Sequence, residues 1–447
     1  MFMLDVSRRI DAAKWSRPHW AIFASTSIGY LMWGVIGSLA YLFYPSVNAV
    51  WFLVAPVIGQ LAGDLGLSYL SDRRLGRKAA FYLTMMLYGV GSLIIVITTA
   101  LISSAPYYPY LVAFGIVLAE IGVEGEVPVS LSYQAETMPL RERERILVLT
   151  PNFDNVGAAL AALVGFVVYG AVGSHYVELQ VLGYFAFALT LIAFVIRYLV
   201  PESARWLAHA GRVEEAKKIV SGLEASEQGA SKPLNKSSSL TGRFLFLLLI
   251  GVSQYLTYGL MAYVVADYYF SGNTVNFVVL VANLAAAITG FIIPLFITKV
   301  SMRKYGFGVF VGGALSMLPI LYTLNLLGSS MVLFYLFLAV NMAFSEMAWS
   351  VRTVLEPLLM PTKLRAFMVG LIRLGPILGY TASLYLTSTL SVRQFVEYNL
   401  ALWAVGALAT LYWLLRGYDV QGVSLEDTAG ETLTLQTSVN TSEKREA

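Results

Sequence analysis

Acidic residues interrupt the apolar stretches of this sequence and mark its candidate functional positions. A charged side chain at the centre of a bilayer costs at least about 2.5–3.5 kcal/mol, so an ionisable residue there is a functional candidate by default. Carboxylates in such places can exchange protons, while amide and phenol groups can hold polar solutes. The candidate binding residues are Glu126, Glu120, Glu124, Asp154, Gln254, Tyr258, Asp267, Glu346 and Arg373.

Glu120 and Glu124 stand four positions apart and therefore share one face of a helix. Glu126 lies about 200° around that helix from Glu124, at about 100° per residue, so the three carboxylates cannot all point into one cavity. One interpretation of Glu120 and Glu124 is a proton path or a cation site. The other is hydrogen bonding between helices, to small residues of the second apolar stretch, Gly59, Gly63 and Gly66.

Two basic residues, Arg352 and Arg373, are predicted to be buried in the membrane. Either can pair with an acid or bind an anionic group of a solute, and pairing is the more common fate. The excess of acids among the candidates disfavours a strongly anionic solute. Gln254 and Tyr258 offer an amide and an aromatic ring, which suit sugars or other polar organic molecules.

Apolar windows of about 20 residues predict the elements that position these groups. Each is long enough to cross about 30 Å of hydrocarbon as a helix, which satisfies its own backbone groups in lipid. We therefore predict an all-α membrane protein with twelve transmembrane helices in two six-helix bundles. The windows are 19–44, 49–70, 80–102, 108–135, 146–171 and 177–199, then 243–270, 275–298, 305–327, 330–357, 366–388 and 397–416.

Clusters of Lys and Arg fall in every second gap between these windows, and such clusters mark the cytoplasmic side of a membrane. Both termini are therefore predicted to be cytoplasmic, in a protein of the cytoplasmic (plasma) membrane that has no cleavable signal peptide. The predicted segments are an amphipathic N-terminus along the inner membrane surface (1–18), the N-terminal bundle (19–199), a cytoplasmic linker with one amphipathic helix (200–242), the C-terminal bundle (243–416) and a partly disordered tail (417–447).

Composition excludes several classes of protein. Of 447 residues, 57% are hydrophobic and 13% are charged, against about 25% charged in soluble proteins. The absence of cysteine excludes disulfides and thiolate metal sites, and a net charge of +3 is no signature of nucleic-acid binding. The sequence contains no phosphate-binding loop motif and no Ser/His/Asp constellation. We therefore predict no enzyme activity, no cofactor and no metal site.

Three motifs follow one another at predicted cytoplasmic ends: SYLSDRRLGRK, GEVPVSLSYQAETMPLRER and VPESARWLAHAGRVEEA. Together they resemble the signatures of the major facilitator superfamily, and of its sugar and metabolite porters in particular. Ser68 departs from the expected glycine, and one extra residue separates Asp72 from Gly76. The resemblance implies two bundles that work by alternating access, with a charged cytoplasmic gate. The gate residues that match are Asp72, Arg73, Gly76, Arg77, Glu136, Arg143, Glu202 and Arg205.

The resemblance also implies that Glu136 and Glu202 pair with the arginines of this gate when the site faces outward. The second half of the chain is less faithful to the pattern, because Lys299 stands where an acid is expected and Glu356 lies two residues early. Gating is therefore predicted to rest mainly on the N-terminal half.

Glu126 is the first candidate for proton coupling. In the segment GEVP it occupies the acidic position of a G-G-[DE]-x-P signature seen in metabolite and phosphate porters, and the resemblance implies that it faces the central cavity. The alternative is a structural carboxylate that accepts hydrogen bonds from a neighbouring helix. The family often carries a proton-linked Asp in its first span. The first predicted span here, which contains SIGYLMWGVIG, holds no acid in that segment. We therefore expect the coupling mechanism to differ from that of the family.

These patterns predict a monomeric secondary active transporter, surrounded by lipid, that moves a small polar metabolite. A sugar or an organic acid is the expected solute, carried by alternating access in symport with protons. One alternative is a proton-driven exporter of apolar or cationic compounds, which the acid-rich interior would suit and the sugar-porter motifs disfavour. Another is a non-transporting membrane sensor, which would need a signalling domain that the short linker and tail do not provide.

Overall fold

The computed structural model describes residues 2–102, 106–224, 231–234, 236, 238–326 and 331–431. Within these ranges the protein consists of helices and connecting turns, without a β-strand. The all-α fold class is therefore confirmed. The predictions for the tail beyond residue 431 and for linker positions 225–230, 235 and 237 lie outside the described residues.

The N-terminal half is built from long helices, some of them joined by π-helical turns. They are α1 (Phe2–Asp11), α2 (Arg17–Val47), α3 (Val50–Ala62), α4 (Ser68–Leu70), α5 (Gly76–Leu101), α6 (Tyr108–Thr137), α7 (Arg143–Leu149), α8 (Phe153–Val172) and α9 (His175–Tyr198), with π-helical turns at Gly63–Leu67 and Ser71–Leu75.

The linker contributes two short helices, and the C-terminal half repeats the pattern of long ones. They are α10 (Ala204–His209), α11 (Val213–Ser221), α12 (Leu240–Gly259), α13 (Val265–Tyr269), α14 (Asn273–Ile292), α15 (Met302–Thr323), α16 (Val332–Leu358), α17 (Arg365–Thr387), α18 (Val392–Arg416) and α19 (Leu425–Thr428). A π-helical turn spans Leu260–Val264, and 3-10 turns span Ile293–Leu295, Ile297–Lys299, Leu324–Leu326 and Thr362–Leu364.

Ten helical segments in the described ranges are long and apolar enough to cross a membrane. One of them, Val50–Leu101, has 52 residues; as one straight helix it would be about 78 Å long, more than twice the hydrocarbon thickness. Gly76, with a φ of +81°, leaves helical geometry inside this segment, between the second and third predicted windows. Helix α6, with four carboxylates, is not among the ten. The count of twelve spans stays a prediction.

The N-terminal segment and the linker pack against each other. Val6 and Ile10 of α1 are buried against the linker helices, in a cluster with Trp206 and Leu207, so this face of α1 packs on protein. The position of this segment along the inner membrane surface stays a prediction. The predicted single linker helix is broken into α10 and α11 at Gly211, whose φ of +78° ends the first helix.

Helices α2 and α8 approach each other backbone to backbone. A Cβ atom on Gly34 would stand 1.8 Å from the carbonyl oxygen of Asp154, and one on Gly157 would stand 2.1 Å from the carbonyl oxygen of Leu31. Glycine is therefore required at both positions, because small residues allow membrane helices to pack at short distance. This contact fixes the position of Asp154 relative to α2.

We expect Gly34→Ala and Gly157→Ala each to lower the midpoint of thermal unfolding in detergent, because overpacking of a close contact costs about 1–3 kcal/mol. The matched control is Gly308→Ala in α15, where no atom lies within 4 Å of the added Cβ and alanine favours the helix. A Gly34→Ala protein as stable as the Gly308→Ala protein would contradict the close packing of α2 and α8.

Candidate functional site

A central cavity lies between the two halves of the protein, with about 690 Å³ of space between its wall atoms, part of which is open to solvent. Small-molecule pockets combine apolar walls with a few polar groups. Both halves contribute to this wall. The lining residues are Trp33, Gly34, Gly37, Tyr41, Gln60, Glu124, Asp154 and Asn155 from the N-terminal half, and Gln254, Tyr255, Tyr258, Gly259, Tyr263, Glu346, Trp349 and Tyr380 from the C-terminal half.

Asp154 and Glu346 face this cavity from opposite halves, and Asn155 connects them. The Asn155 side chain donates to Glu346 Oε2 at 2.7 Å, and the Asn155 backbone N–H donates to Asp154 Oδ1 at 2.5 Å. Glu346 Oε1 has no hydrogen-bond partner within the described ranges, and neither acid forms an ion pair there. Two buried carboxylates without a cation are suited to exchange a proton or to bind a cationic group.

Gln254 and Tyr258, both predicted as binding residues, lie in the same wall on α12. Gln254 accepts a hydrogen bond from Arg352 Nη1 at 2.7 Å. The Tyr258 hydroxyl donates to Asn283 Oδ1 at 2.5 Å and lies 3.2 Å from Asn155 Oδ1. The amide and phenol groups therefore line the cavity while they are held by neighbouring helices.

Arg373 is neutralised by two carboxylates of the opposite half. Its Nε donates to Asp64 Oδ2 at 2.9 Å, and its Nη2 donates to Glu124 Oε2. The guanidinium also stacks over the Trp33 ring, with its Cζ 5.3 Å from the ring centroid. The sequence predicted Arg373 and Glu124 as separate binding residues. Their ion pair, and that of Arg373 with Asp64, depend on the contact of α17 with α3 and α6.

Glu126 lies outside the cavity wall, so the expectation that it faces the cavity is wrong. Its carboxylate accepts hydrogen bonds from Arg197 and, at 2.6 Å, from the Thr84 hydroxyl, and it packs against Gly29 of α2. The physical reason is the helical phase noted above, because the face opposite Glu124 points to α5 and α9. Arg197, which lies near the end of the sixth predicted window, is 1% exposed and reaches inward to this acid.

Glu120 and Asp267 are also absent from the cavity wall. Glu120 is buried and lies 3.4 Å from Gln60 Nε2, while its helix packs directly on Gly59 of α3. The hydrogen bond joins the second and fourth predicted spans, but its donor is Gln60 and not one of the small residues Gly59, Gly63 and Gly66. Both carboxylate oxygens of Asp267 are buried without a hydrogen-bond partner within the described ranges.

Aromatic residues that the sequence reasoning did not single out form much of the cavity wall. Trp33 and Trp349 come from opposite halves, and their ring centroids lie 6.0 Å apart. Tyr41 donates to the Tyr380 hydroxyl at 2.9 Å, and its ring stacks on Tyr263. The signal in the sequence was one tryptophan inside each of two predicted spans, Trp33 in the first and Trp349 in the tenth.

Arg77 lies at the centre of a second charged network, at the predicted cytoplasmic end. It donates to Asp72 Oδ1 at 2.6 Å, and to Glu136 Oε1 at 2.6 Å and Oε2 at 3.1 Å. All three side chains are buried. Beside them Gly76 turns the chain, and a Cβ there would stand 2.4 Å from Glu202 Oε2.

The C-terminal half takes part in this network, contrary to the expectation that gating rests mainly on the N-terminal half. Arg365 Nη1 lies 3.3 Å from Glu136 Oε1, and the backbone N–H of Phe367 donates to Asp72 Oδ2 at 2.8 Å. Both contacts join the start of α17 to the N-terminal half. They close the protein at this end.

The remaining gate residues have partners other than those expected. Glu202 accepts the backbone N–H groups of Arg77 at 2.9 Å and Lys78 at 3.2 Å, so it caps the start of α5. Arg143 donates to the carbonyl of Val423 at 2.7 Å. Arg73 is exposed and forms no ion pair within the described ranges.

Arg205 joins the two ends of the described chain. It donates to Asp11 Oδ1 at 2.8 Å and to Glu426 Oε1 at 3.1 Å. Burial by itself would raise the pKa of Glu426, but the charge of Arg205 and the hydroxyl of Ser7 outweigh it and lower the pKa to about 2. The contact therefore contributes stability above about pH 4, and this contribution is lost as the pH falls toward 2.

Comparison with known proteins agrees with this architecture. A family model described as the Major Facilitator Superfamily matches residues 21–375. The niacin transporter NiaP of Acinetobacter baylyi is 24% identical over 462 residues, which cover 95% of this chain and 99% of the relative. The facilitated trehalose transporter Tret1 of Drosophila willistoni is 24% identical over 272 residues, covering 54% of this chain and 29% of the relative.

The solved structures include the proton:xylose symporter XylE bound to 6-bromo-6-deoxy-D-glucose. It is 16% identical, with a TM-score of 0.73 over 92% of this chain and 98% of that chain. This likeness confirms the predicted major facilitator fold. The chain belongs to the major facilitator superfamily, as an integral membrane transporter of small solutes and not an enzyme.

Proposed function

We propose that the protein is a secondary active transporter that moves a small polar ring compound, an organic acid or a sugar, in symport with protons. The observation that carries this proposal is the cavity between the halves, in which Asp154 and Glu346 lie among aromatic rings without a cationic partner in the described ranges. The relatives named for niacin and trehalose transport support a ring-containing solute.

Asp154 and Glu346 are the proposed proton-carrying pair, in place of Glu126. They come from opposite halves and are connected through Asn155, so a change in the charge of either one alters the force between the halves. A protonated carboxyl group can donate a hydrogen bond that the ionised form cannot. Proton binding is thereby linked to the relative position of the two bundles.

The two ends of the cavity are closed by interactions of different strength, which supports alternating access. The predicted cytoplasmic end is held by the buried ion pairs around Glu136 and by the Asp72 contact. The predicted outer end is held by contacts between neutral hydroxyls, Tyr41 to Tyr380 at 2.9 Å and Ser38 to Tyr263 at 3.3 Å. Neutral hydrogen bonds are weaker than charge-assisted ones, so the outer end is proposed to open first.

The proposed setting is the cytoplasmic membrane, with both termini in the cytoplasm and the protein working as a monomer. The basic clusters at alternate gaps support this orientation. Large apolar side chains on the outer surface, such as Leu408, Leu415 and Ile58, are exposed and are proposed to contact lipid.

A second candidate function is proton-driven export of cationic compounds. It is favoured by the carboxylates of Asp154 and Glu346, which would attract a cationic solute as readily as a proton. Transport of a cationic aromatic dye, measured in the same vesicles as the acids and sugars, separates the two functions.

We expect Glu346→Gln to abolish the stimulation of solute uptake by an inward proton gradient, with a fall of at least about tenfold, while exchange without a gradient continues. The reason is that the amide keeps the hydrogen bond to Asn155 but cannot ionise. Proteoliposomes with an imposed pH gradient, tested with niacin, trehalose and xylose, give the measurement.

The matched control is Glu178→Gln, since Glu178 is also buried but pairs with His175 outside the cavity wall. Its gradient response should equal that of the unaltered protein. If Glu346→Gln and Asp154→Asn both retain full stimulation, proton coupling through this pair is wrong.

We expect Glu136→Gln to shift the protein toward a conformation open to the cytoplasm. The change removes charge-assisted bonds to Arg77 and Arg365, each contributing about 1.5–3 kcal/mol, so the open population should rise at least about tenfold. Because the chain has no cysteine, Gly37→Cys in the cavity wall can report access, through its rate of reaction with an impermeant thiol reagent added from the cytoplasmic side.

The control for this experiment is Glu215→Gln in α11, an exposed acid that pairs only with Arg212 among the described contacts. It should leave the labelling rate unchanged. Equal rates in the Glu136→Gln and Glu215→Gln proteins would show that the network does not hold the cytoplasmic end closed.

A further inference from the structure

Two arginines lie directly behind the cavity wall, and each has a nitrogen without a partner. Arg352 donates from Nε to Glu356 at 2.7 Å and from Nη1 to Gln254 at 2.7 Å. Arg373 donates from Nε to Asp64 and from Nη2 to Glu124. Arg352 Nη2 and Arg373 Nη1 have no hydrogen-bond partner within the described ranges, although the two side chains are 0% and 1% exposed.

Two more unpartnered donors lie in the same cluster. Arg352 lies over the Trp349 ring at 4.9 Å, and Arg373 lies over the Trp33 ring at 5.3 Å. Trp349 Nε1 has no partner in the described part of the chain, and neither has the hydroxyl of Tyr30, whose ring lies 6.2 Å from that of Trp33. The cluster therefore holds four buried groups that can each donate a hydrogen bond.

A buried donor without an acceptor costs about 1–3 kcal/mol, and the great majority of buried polar groups are paired. Four such groups beside one cavity indicate a missing acceptor. We propose that this cluster, made of Arg352, Arg373, Trp349 and Tyr30, binds the carboxylate of a planar aromatic acid. The inference rests on the proposed function and narrows its solute from sugars and acids to this class.

A carboxylate fits the cluster because it is planar, accepts hydrogen bonds at two oxygens and matches the fork of a guanidinium. The ring of the acid would then contact the faces of Trp33 and Trp349. These two residues come from opposite halves and, with Gln254 and Glu124, separate the arginines from the cavity. Movement of one half against the other opens the path between them.

The charge around the cluster links this binding to protons. The two guanidinium groups form ion pairs with three carboxylates, so an arriving anion is favoured when one of those acids takes up a proton. The titratable and charged groups that face the arginines are Asp64, Glu124, Glu356, Asp154, Glu120, Tyr30 and Tyr255. Binding is therefore best measured at pH 6, where an ordinary aromatic acid, with a pKa near 4, is still ionised.

The test compares acid and amide pairs of one shape, nicotinate with nicotinamide and benzoate with benzamide, by calorimetry on the full-length protein in nanodiscs without a gradient. We expect at least one acid to bind at least tenfold more tightly than its amide, and xylose to bind no better than the amides. Equal affinity for acid and amide, or binding of xylose alone, overturns the carboxylate site.

Arg352→Gln combined with Glu356→Gln removes the cation together with its ion-pair partner, so no unpaired charge is left buried. We expect the double variant to lose the preference for the acid while it keeps the affinity for the amide. If it does not fold, Arg352→Lys retains a positive charge beside Glu356 but loses the guanidinium fork, and should lower the affinity for the acid at least tenfold.

The proposal is overturned if the variant that folds prefers the acid over its amide by the same factor as the unaltered protein. Failure of the carboxylate site leaves gradient-driven uptake of sugars intact, whereas failure of the proposed function removes gradient-driven uptake of every solute. The two outcomes are therefore distinguishable.

Discussion

The cost of burying a charge away from water governs the interior of this protein. An unpaired ion in a medium of low dielectric loses several kcal/mol of hydration, and only a close partner of opposite sign restores it. Arg197, Arg373 and Arg77 each have one or two carboxylates in contact. Of the three acids that line the cavity, Glu124 is paired with Arg373, whereas Asp154 and Glu346 lack such a partner within the described ranges. This difference separates the groups that are proposed to act in transport from those that hold helices together.

In the part of the chain that the structure describes, helix α17 carries the three ion pairs that cross between the two bundles. Arg365 reaches Glu136 at the predicted cytoplasmic end, and Arg373 reaches Asp64 and Glu124 beside the cavity. The two arginines are eight residues apart, which is about 12 Å along the helix. A rigid movement of α17 would therefore change both contacts together, which would link the proposed binding of a solute in the cavity to the proposed gate.

The segment after α18 adds a further connection at the same end of the molecule. Val423 accepts from Arg143, Glu426 from Arg205, and Glu431 from the backbone N–H of Thr362. The first two contacts lead to the N-terminal half and its linker, and the third leads to the C-terminal half. Part of the predicted tail is thus built into the closed end that is predicted to be cytoplasmic, and opening of that end would require these bonds to rearrange.

The fold class, the family and the candidate binding residues inside the membrane helices could all be predicted from the amino-acid sequence. Hydrophobic length required membrane helices, and the scarcity of ionisable residues in them made Glu124, Asp154, Glu346 and Arg373 candidates before any contact was known. The spacing of Glu124 and Glu126 also showed that only one of these two could face a given cavity, because the helical phase is a local property.

Only the tertiary structure decided which of these acids faces the cavity and which has a partner. Motif position favoured Glu126, but the rotation of α6 about its axis is set by packing against α5, α3 and α2, and it directs Glu126 to Arg197 and Glu124 to the cavity. In the same way, Asp64 meets Arg373 across 309 positions of sequence. Contacts of this kind depend on how separate helices are placed in space, and no local pattern of residues contains that information.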